Sequence, residues 1–346
     1  MLETALHAHL AARGATHADD RGVLLPRQFG DAAGEYRALR EGAALVDLGF
    51  RTVLHARGAD RVTFLQGMLS NDVAALRPGD GCPALLLTIQ GRVVADARVA
   101  ATDDALLLDV DVRAREAFVE ALERLIVADD VELVTPETRV ALVGVEGPDA
   151  ERLVGRPLAP YAHAETDVTG IAVRAVRASE VRGSGVVFHV AAERAPALWD
   201  ALVARGARPC GMDALEGRRV EVGVPRVGLD MDLGTLALEV PVDEALSATK
   251  GCYLGQEVVA RGTARGHVNR KLTGLLIDGP VPPGGVPLVR EGKEAGRLTT
   301  VAWAFGAGAP AALGFVRREH WEPGTELRVE HGHAVTLVRV AALPLA

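Results

Sequence analysis

Apolar and polar positions along the chain change period repeatedly, and the changes mark out elements. Residues 53–57 (Val53-Leu54-His55-Ala56-Arg57) predict a strand, Gly58-Ala59-Asp60 a turn, and the apolar-periodic residues 62–68 a helix. The same order recurs: residues 140–145 predict a strand, and Gly147-Pro148-Asp149 opens a short helix through Leu153. Two Gly-x-Asp turns, each leaving a strand and entering a helix, predict an internal duplication of an α+β unit. Between them, residues 84–89 predict a buried strand, and residues 92–99 and 105–110 a hairpin around Thr102-Asp103-Asp104. Residues 113–126 predict a helix with Phe118, Leu122, Leu125 and Ile126 on one face. Residues 171–176 and 186–190 predict paired strands, followed by a helix over 195–205. Hairpins mixed with helices predict an α+β fold, not a doubly wound parallel sheet.

The proline- and glycine-dense run from Asp278 to Pro287 cannot continue a helix or a central strand. Short strands with turns follow it at 296–303, 311–316, 326–330 and 334–340, and 272–277 supplies one more. A small all-β C-terminal domain, a barrel, is therefore expected over 271–346, after two α+β subdomains over 1–270.

Composition narrows the function. Of the 346 residues, 49% are hydrophobic, which excludes a disordered chain. The net charge of −8 and only 4% aromatic residues argue against a basic, stacking surface for nucleic acid. No run reaches the ~18–20 apolar residues that span a bilayer, and residues 1–4 lack the basic start of a signal peptide. Cys82, Cys210 and Cys252 form no C-x-x-C pair, which points to a reducing cytoplasm. His7-x-His9 and His331-Gly332-His333 lack a third ligand at metal spacing, and Asp230-Met231-Asp232 lacks the rest of a calcium loop. No metal is expected, and no nucleotide motif follows a strand.

The most unusual stretch is Lys250-Gly251-Cys252-Tyr253-Leu254-Gly255-Gln256-Glu257-Val258-Val259-Ala260-Arg261. Gln256 to Arg261 predicts a short helix just after Cys252. A thiol near a helix N-terminus, with Lys250 close by, has surroundings that lower a thiol pKa. From 250 to 271 five basic residues (Lys250, Arg261, Arg265, Arg270, Lys271) face one acidic residue, Glu257, inverting the sign of the chain and predicting a local anion site. A buried structural cysteine and a solvated basic face are the competing readings.

The motif Lys250-Gly251-Cys252-Tyr253-x-Gly255-Gln256-Glu257-x-x-x-Arg261 resembles that of the YgfZ-type folate-binding proteins, relatives of the glycine-cleavage T-protein, or aminomethyltransferase. Further landmarks of that family stand in order: Gly58-x-Asp60-x-x-x-Phe64-Leu65-Gln66, Ser70-Asn71-Asp72-Val73, Pro78-Gly79, Gln90-Gly91-Arg92 with Asp96, Arg219-Val220-Glu221-Val222-Gly223-Val224-Pro225, Pro241 with Glu244, Gly296-Arg297-Leu298, and Leu313-Gly314-Phe315-Val316. The resemblance implies three subdomains in a ring around a tetrahydrofolate pocket, the last a β-barrel. It implies that Glu221 meets the pterin edge and that Arg219, Arg261 and neighbouring cations meet the glutamate tail, with Tyr253, Lys250, Gln256, Asn71 and Asp72 close to the ligand. A structural ion pair is the competing reading for Arg219 and Glu221.

Two activities follow from the resemblance. The YgfZ group implies folate-dependent support of iron–sulfur cluster assembly or repair, including clusters of tRNA-modifying enzymes, with Cys252 as the functional thiol and iron–sulfur client proteins as partners. The T-protein implies aminomethyl transfer through an aspartate, here Asp96. The departures from the T-protein pattern, Ala95 in place of one aspartate and a changed loop at 180–185, favour the first. A scaffold without folate is the third reading.

Overall fold

The computed structural model describes residues 1–264 and 267–345; Arg265, one of the five basic residues counted above, lies outside the described residues. The fold is mixed α+β, with two α+β subdomains and a closed C-terminal barrel.

The first subdomain is a sheet of Gly81–Leu87, Val93–Ala101, Leu106–Asp111, Arg51–Arg57 and Glu132–Val134, in that spatial order and antiparallel throughout. The helices Arg61–Met68 and Arg115–Glu123 supply Phe64, Leu65, Phe118 and Leu122 to its core. The second subdomain repeats the arrangement: Val140–Glu146 pairs with Gly185–Ala191 and Ala44–Asp47, and the helix Ala195–Ala204 buries Leu198, Trp199 and Leu202. Both duplicated turns carry a left-handed glycine, Gly58 (φ +99°) and Gly147 (φ +113°). A Cβ at either would fall within 2.5 Å of backbone, on Asp130 O (2.0 Å) and Gly42 O (2.5 Å), so glycine is required there. The second helix is shorter than its pattern predicts, a single 3₁₀ turn at Glu151–Leu153.

Six strands, Arg270–Asp278, Pro287–Arg290, Lys293–Ala304, Ala309–Arg317, Glu326–His331 and Ala334–Ala341, close into the barrel. Leu275, Leu288, Leu298, Val316, Val329 and Val338 fill its interior. The Pro/Gly run is a loop inside the barrel, between its first two strands.

The N-terminal residues form elements that the pattern does not foretell: a hairpin of Thr16–Asp20 and Val23–Gln28 and the helix Ala32–Glu41. These pack with the helix Met212–Val222, which also lies on the barrel strand Lys293–Ala304. That helix joins the ring. Tyr36 stacks on Phe305 across the seam, with ring centroids 5.1 Å apart.

Candidate functional site

The polar face of the first sheet forms the site. On Val93–Ala101 the odd-numbered residues 93–99 are buried in the apolar core, so Asp96 and Arg98 emerge together on the other face. Arg51 lies beneath them. Its Nε donates to Asp109 Oδ1 at 2.6 Å, Nη2 to Asp109 O at 2.9 Å, and Nη1 to Asp96 Oδ2 at 3.2 Å. Arg98 reaches across to the second subdomain and donates to Glu180 Oε1 at 2.5 Å. Arg226, on the loop after Met212–Val222, lies over the Phe50 ring at 4.4 Å. Phe50, Arg51, Asp96, Arg98 and Glu180, with Asp111, Ser179 and Val224 to Val227, line a cavity of about 60 Å³ where the two subdomains and that loop converge.

The electrostatics follow from the pairing. Burial opposes the Arg51 charge, but Asp109 and Asp96 raise its pKa well above the usual arginine value. Burial alone would raise Glu180, yet Arg98 and Arg51 hold it below the ordinary carboxylate range. Glu146, immediately behind, is different: burial pushes it up to about 8 although Ser179 Oγ (2.6 Å) and the Glu180 N–H (2.8 Å) donate to it. At neutral pH it is a carboxylic acid. Asp96 keeps partial exposure, with 29% of its side chain open, which makes it the most accessible carboxylate of the cavity.

The Cys252 motif occupies a separate place, the end of the helix Arg61–Met68. Lys250 is buried, and its ammonium donates to three carbonyls, Gln66 O (2.6 Å), Leu69 O (2.6 Å) and Asn71 O (2.9 Å), which uses all three of its protons. Burial lowers its pKa to about 8. Tyr253 is buried beneath it, with Nζ 5.1 Å from the ring centroid. Asn71 Nδ2 donates to Pro83 O and Glu244 O, and Asp72 accepts from Gln66 Nε2. Gln256 begins the helix Gln256–Ala264. On this anchored loop Cys252 is exposed, whereas Cys82 is half-buried, its thiol pushed up to about 12 by burial, and Cys210 is fully buried.

Several sequence expectations are corrected here. Arg219 is 1% exposed and all five of its N–H groups have internal partners: Nε and Nη2 on Glu216, Nη1 on Asp230 and Val224 O, Nη2 also on Thr300. Glu221, 2% exposed, accepts from Tyr36 Oη, the Gly306 N–H and Arg218. Both residues hold the 212–222 helix to its neighbours, and neither lines the cavity, because a helix wedged between three elements buries its charges only by pairing them.

The basic cluster also disperses. Lys250 points inward to carbonyls, so it is no free cation for Cys252. Arg261 pairs with Glu257 one helical turn away, Arg270 pairs with Glu239 and covers Phe315, and Lys271 lies over Trp321. Lys250, Tyr253, Asn71, Asp72 and Gln256 do gather at one junction, but none lines the cavity with Asp96. The cavity residues missed by the sequence reading are Arg51, Arg98, Glu180 and Arg226. Alternation over residues 93–99 would have found Arg98, while Glu180 stands in the 180–185 loop, whose departure from the T-protein pattern hides it.

A ring of two α+β subdomains closed by a six-stranded barrel, with a charged cavity at its centre, defines the architectural class. The chain matches the GCVT N-terminal domain over residues 6–250 and the glycine cleavage T-protein C-terminal barrel domain over 270–346. It belongs to the glycine cleavage T-protein family. It is 30% identical over 313 residues to an aminomethyltransferase of Geobacillus kaustophilus, covering 86% of this chain and 85% of that protein. A putative chloroplastic transferase of Arabidopsis thaliana is 26% identical over 302 residues, 84% of this chain and 69% of that protein. The crystal structure of the glycine cleavage system aminomethyltransferase T from Bartonella henselae shares the fold, with a TM-score of 0.88 at 21% identity over 100% of this chain and 98% of that one. No helix among the described residues is long and apolar enough to cross a membrane.

Proposed function

We propose that this protein binds tetrahydrofolate in the central cavity and supports the assembly or repair of iron–sulfur clusters through Cys252, as a YgfZ-type member of its family. The observation that carries the reading is the exposed Cys252 on a loop anchored by three hydrogen bonds from Lys250. A thiol held out on a fixed loop is available to a partner protein, and a single such thiol supplies one of the usual four cluster ligands. Its role is therefore transient contact with a client and not resident cluster binding.

The cavity's donor set suits a pterin. Asp96 accepts from amino and ring N–H groups, and the buried Arg226 Nε, which has no partner among the described residues, donates to a carbonyl oxygen. The volume of about 60 Å³ is well below the ~300–1,000 Å³ of pockets that enclose a whole ligand, so the subdomains must part around the ring system. When bound, tetrahydrofolate supplies nitrogen nucleophiles that accept a one-carbon unit; the chain's own residues bind and orient it.

Aminomethyl transfer is the second reading, favoured by the position of Asp96 in the cavity and by the names of the relatives. Three measurements separate the readings. Calorimetric titration with tetrahydrofolate should show saturable binding; no heat and no thermal shift would leave only a scaffold. Cys252→Ala should fail to restore iron–sulfur enzyme activity in a strain lacking the protein, and full restoration would remove the thiol role. Folate-dependent ammonia release from an aminomethyl-lipoyl carrier, abolished by Asp96→Asn, would establish the transferase instead.

A further inference from the structure

Residues 241–247, which lead into the cysteine motif, are sewn to both subdomains. On the side of the first, Ser70 Oγ donates to Ala245 O at 2.6 Å, the Ser247 N–H to Ser70 O at 3.0 Å, and Asn71 Nδ2 to Glu244 O at 2.9 Å. On the side of the second, Tyr161 Oη donates to Glu244 Oε2 at 2.9 Å and Arg182 Nη2 to Pro241 O at 2.9 Å. Burial, then the bond to Glu244, pushes the Tyr161 phenol up to about 12, so it remains a donor at neutral pH.

Tyr161 (φ +61°) and Arg182 (φ +55°) are two of five non-glycine residues with left-handed backbone among the described residues, and both reach this one segment. An ordinary side chain holds that conformation only where its surroundings fix it. Both also stand beside the central cavity. Arg182 follows Glu180, a lining residue, by two positions, and Tyr161 meets Arg98 and Asp109 around a separate void of about 10 Å³. From Glu244 the contacts run on to the thiol loop. Asn71, the donor to Glu244 O, accepts from Lys250 Nζ at 2.9 Å, and the Lys250 N–H donates to Ser247 Oγ at 3.2 Å. Cys252 stands two residues further on.

We propose that Tyr161 and Arg182 are positioning residues that clasp the cysteine-bearing segment to the second subdomain, and that a ligand entering the central cavity opens this clasp. The proposal rests on the folate reading, in which the subdomains part around tetrahydrofolate. The bond from Ser70 to Ala245 O is buried, whereas Glu244 and Arg182 are exposed and water can replace their bonds. Parting therefore breaks the contacts to the second subdomain and leaves residues 241–247 on the first. The freed segment loosens the Asn71 and Ser247 supports of Lys250, so the presentation of Cys252 follows the occupancy of the cavity. Breaking the clasp opposes ligand binding, and by linkage its prior removal strengthens binding. A merely structural role for these side chains predicts the opposite sign.

The test combines amide hydrogen exchange at residues 244–250 with calorimetric titration by tetrahydrofolate, on the full chain, Tyr161→Phe, Arg182→Met and the double variant. Phenylalanine keeps the ring and methionine keeps an unbranched chain, so the hydrogen-bond donors are what is lost, and thermal melting should confirm an intact fold. Without ligand, exchange at 244–250 should be about threefold faster or more in the double variant, and unchanged exchange would overturn the clasp. The double variant should bind tetrahydrofolate about threefold tighter or more, with each single variant in between. Saturating ligand should speed exchange at 244–250 in the wild type and add little in the double variant. Equal or weaker binding by the double variant, or wild-type exchange that ignores bound ligand, would overturn the coupling. A wild type that takes up no tetrahydrofolate fails the folate reading and removes ligand opening with it; ligand-free exchange still decides whether Tyr161 and Arg182 position the segment.

Discussion

Arg98 of the first subdomain donates to Glu180 of the second at 2.5 Å, and it is a direct ionic link between them across the cavity. Both side chains are largely buried, 13% and 8% exposed. Removing Arg98 takes away the ion-pair partner of the buried Glu180, which costs roughly 3–5 kcal/mol, whereas Arg98 keeps Asp109 at 3.4 Å when Glu180 is removed. Arg98→Ala should destabilise the chain by that order in urea unfolding, and Glu180→Ala by less. The double variant should be less destabilised than the two losses added together. On the proposed reading, in which the subdomains part around tetrahydrofolate, Glu180→Gln should speed its association in stopped-flow mixing.

Glu146 makes stability depend on pH in a defined direction. Its pKa is raised from 4.5 to about 8 in the folded chain, so between those values the native state holds a proton that the unfolded state has released. Its stabilising contribution is complete below pH 4.5 and is lost as pH rises through 8. Unfolding free energy should therefore fall by on the order of a few kcal/mol between pH 5 and pH 8.5 from this group. Glu146→Gln, which keeps an acceptor for the Glu180 N–H, should flatten that slope. An unchanged slope in chemical denaturation would show that Glu146 titrates elsewhere.

Lys250 and Cys252, two residues apart, should behave oppositely. Lys250→Met leaves three carbonyls of residues 66–71 without their donor and should cost about 2–4 kcal/mol, with faster amide exchange at 67–72 and 250–256. Cys252→Ala changes an exposed side chain and should alter stability by less than about 0.5 kcal/mol, so the loss of function proposed for it in the iron–sulfur assay would not be a folding defect.

Arg219 separates structural from ligand roles. Its five N–H groups pair with the helix, the 224–230 loop and the barrel. Arg219→Ala should lower the melting temperature by several degrees and loosen the barrel, whereas Asp96→Asn should leave melting nearly unchanged and weaken tetrahydrofolate. Weaker folate binding by a fully stable Arg219→Ala protein would return Arg219 to the ligand site.

The sequence by itself determined the elements whose cause is local. Strand alternation, the Gly58 and Gly147 turns and the Pro/Gly run require only neighbouring residues, and the two α+β units and the barrel were legible from them. The period of two over residues 93–99 carries the information that Asp96 and Arg98 share one face, although Arg98 went unread there. Tertiary structure decided which charges are free. Lys250, Arg219 and Glu221 stand in conspicuous motifs, but whether a charge meets a ligand or a neighbour depends on atoms 81 to 185 residues away in sequence. Lys250 finds carbonyls near residue 70, Glu221 finds Tyr36 and Gly306, and Arg219 finds Thr300. Burying a charge demands partners, and only the closed ring shows which ones are supplied.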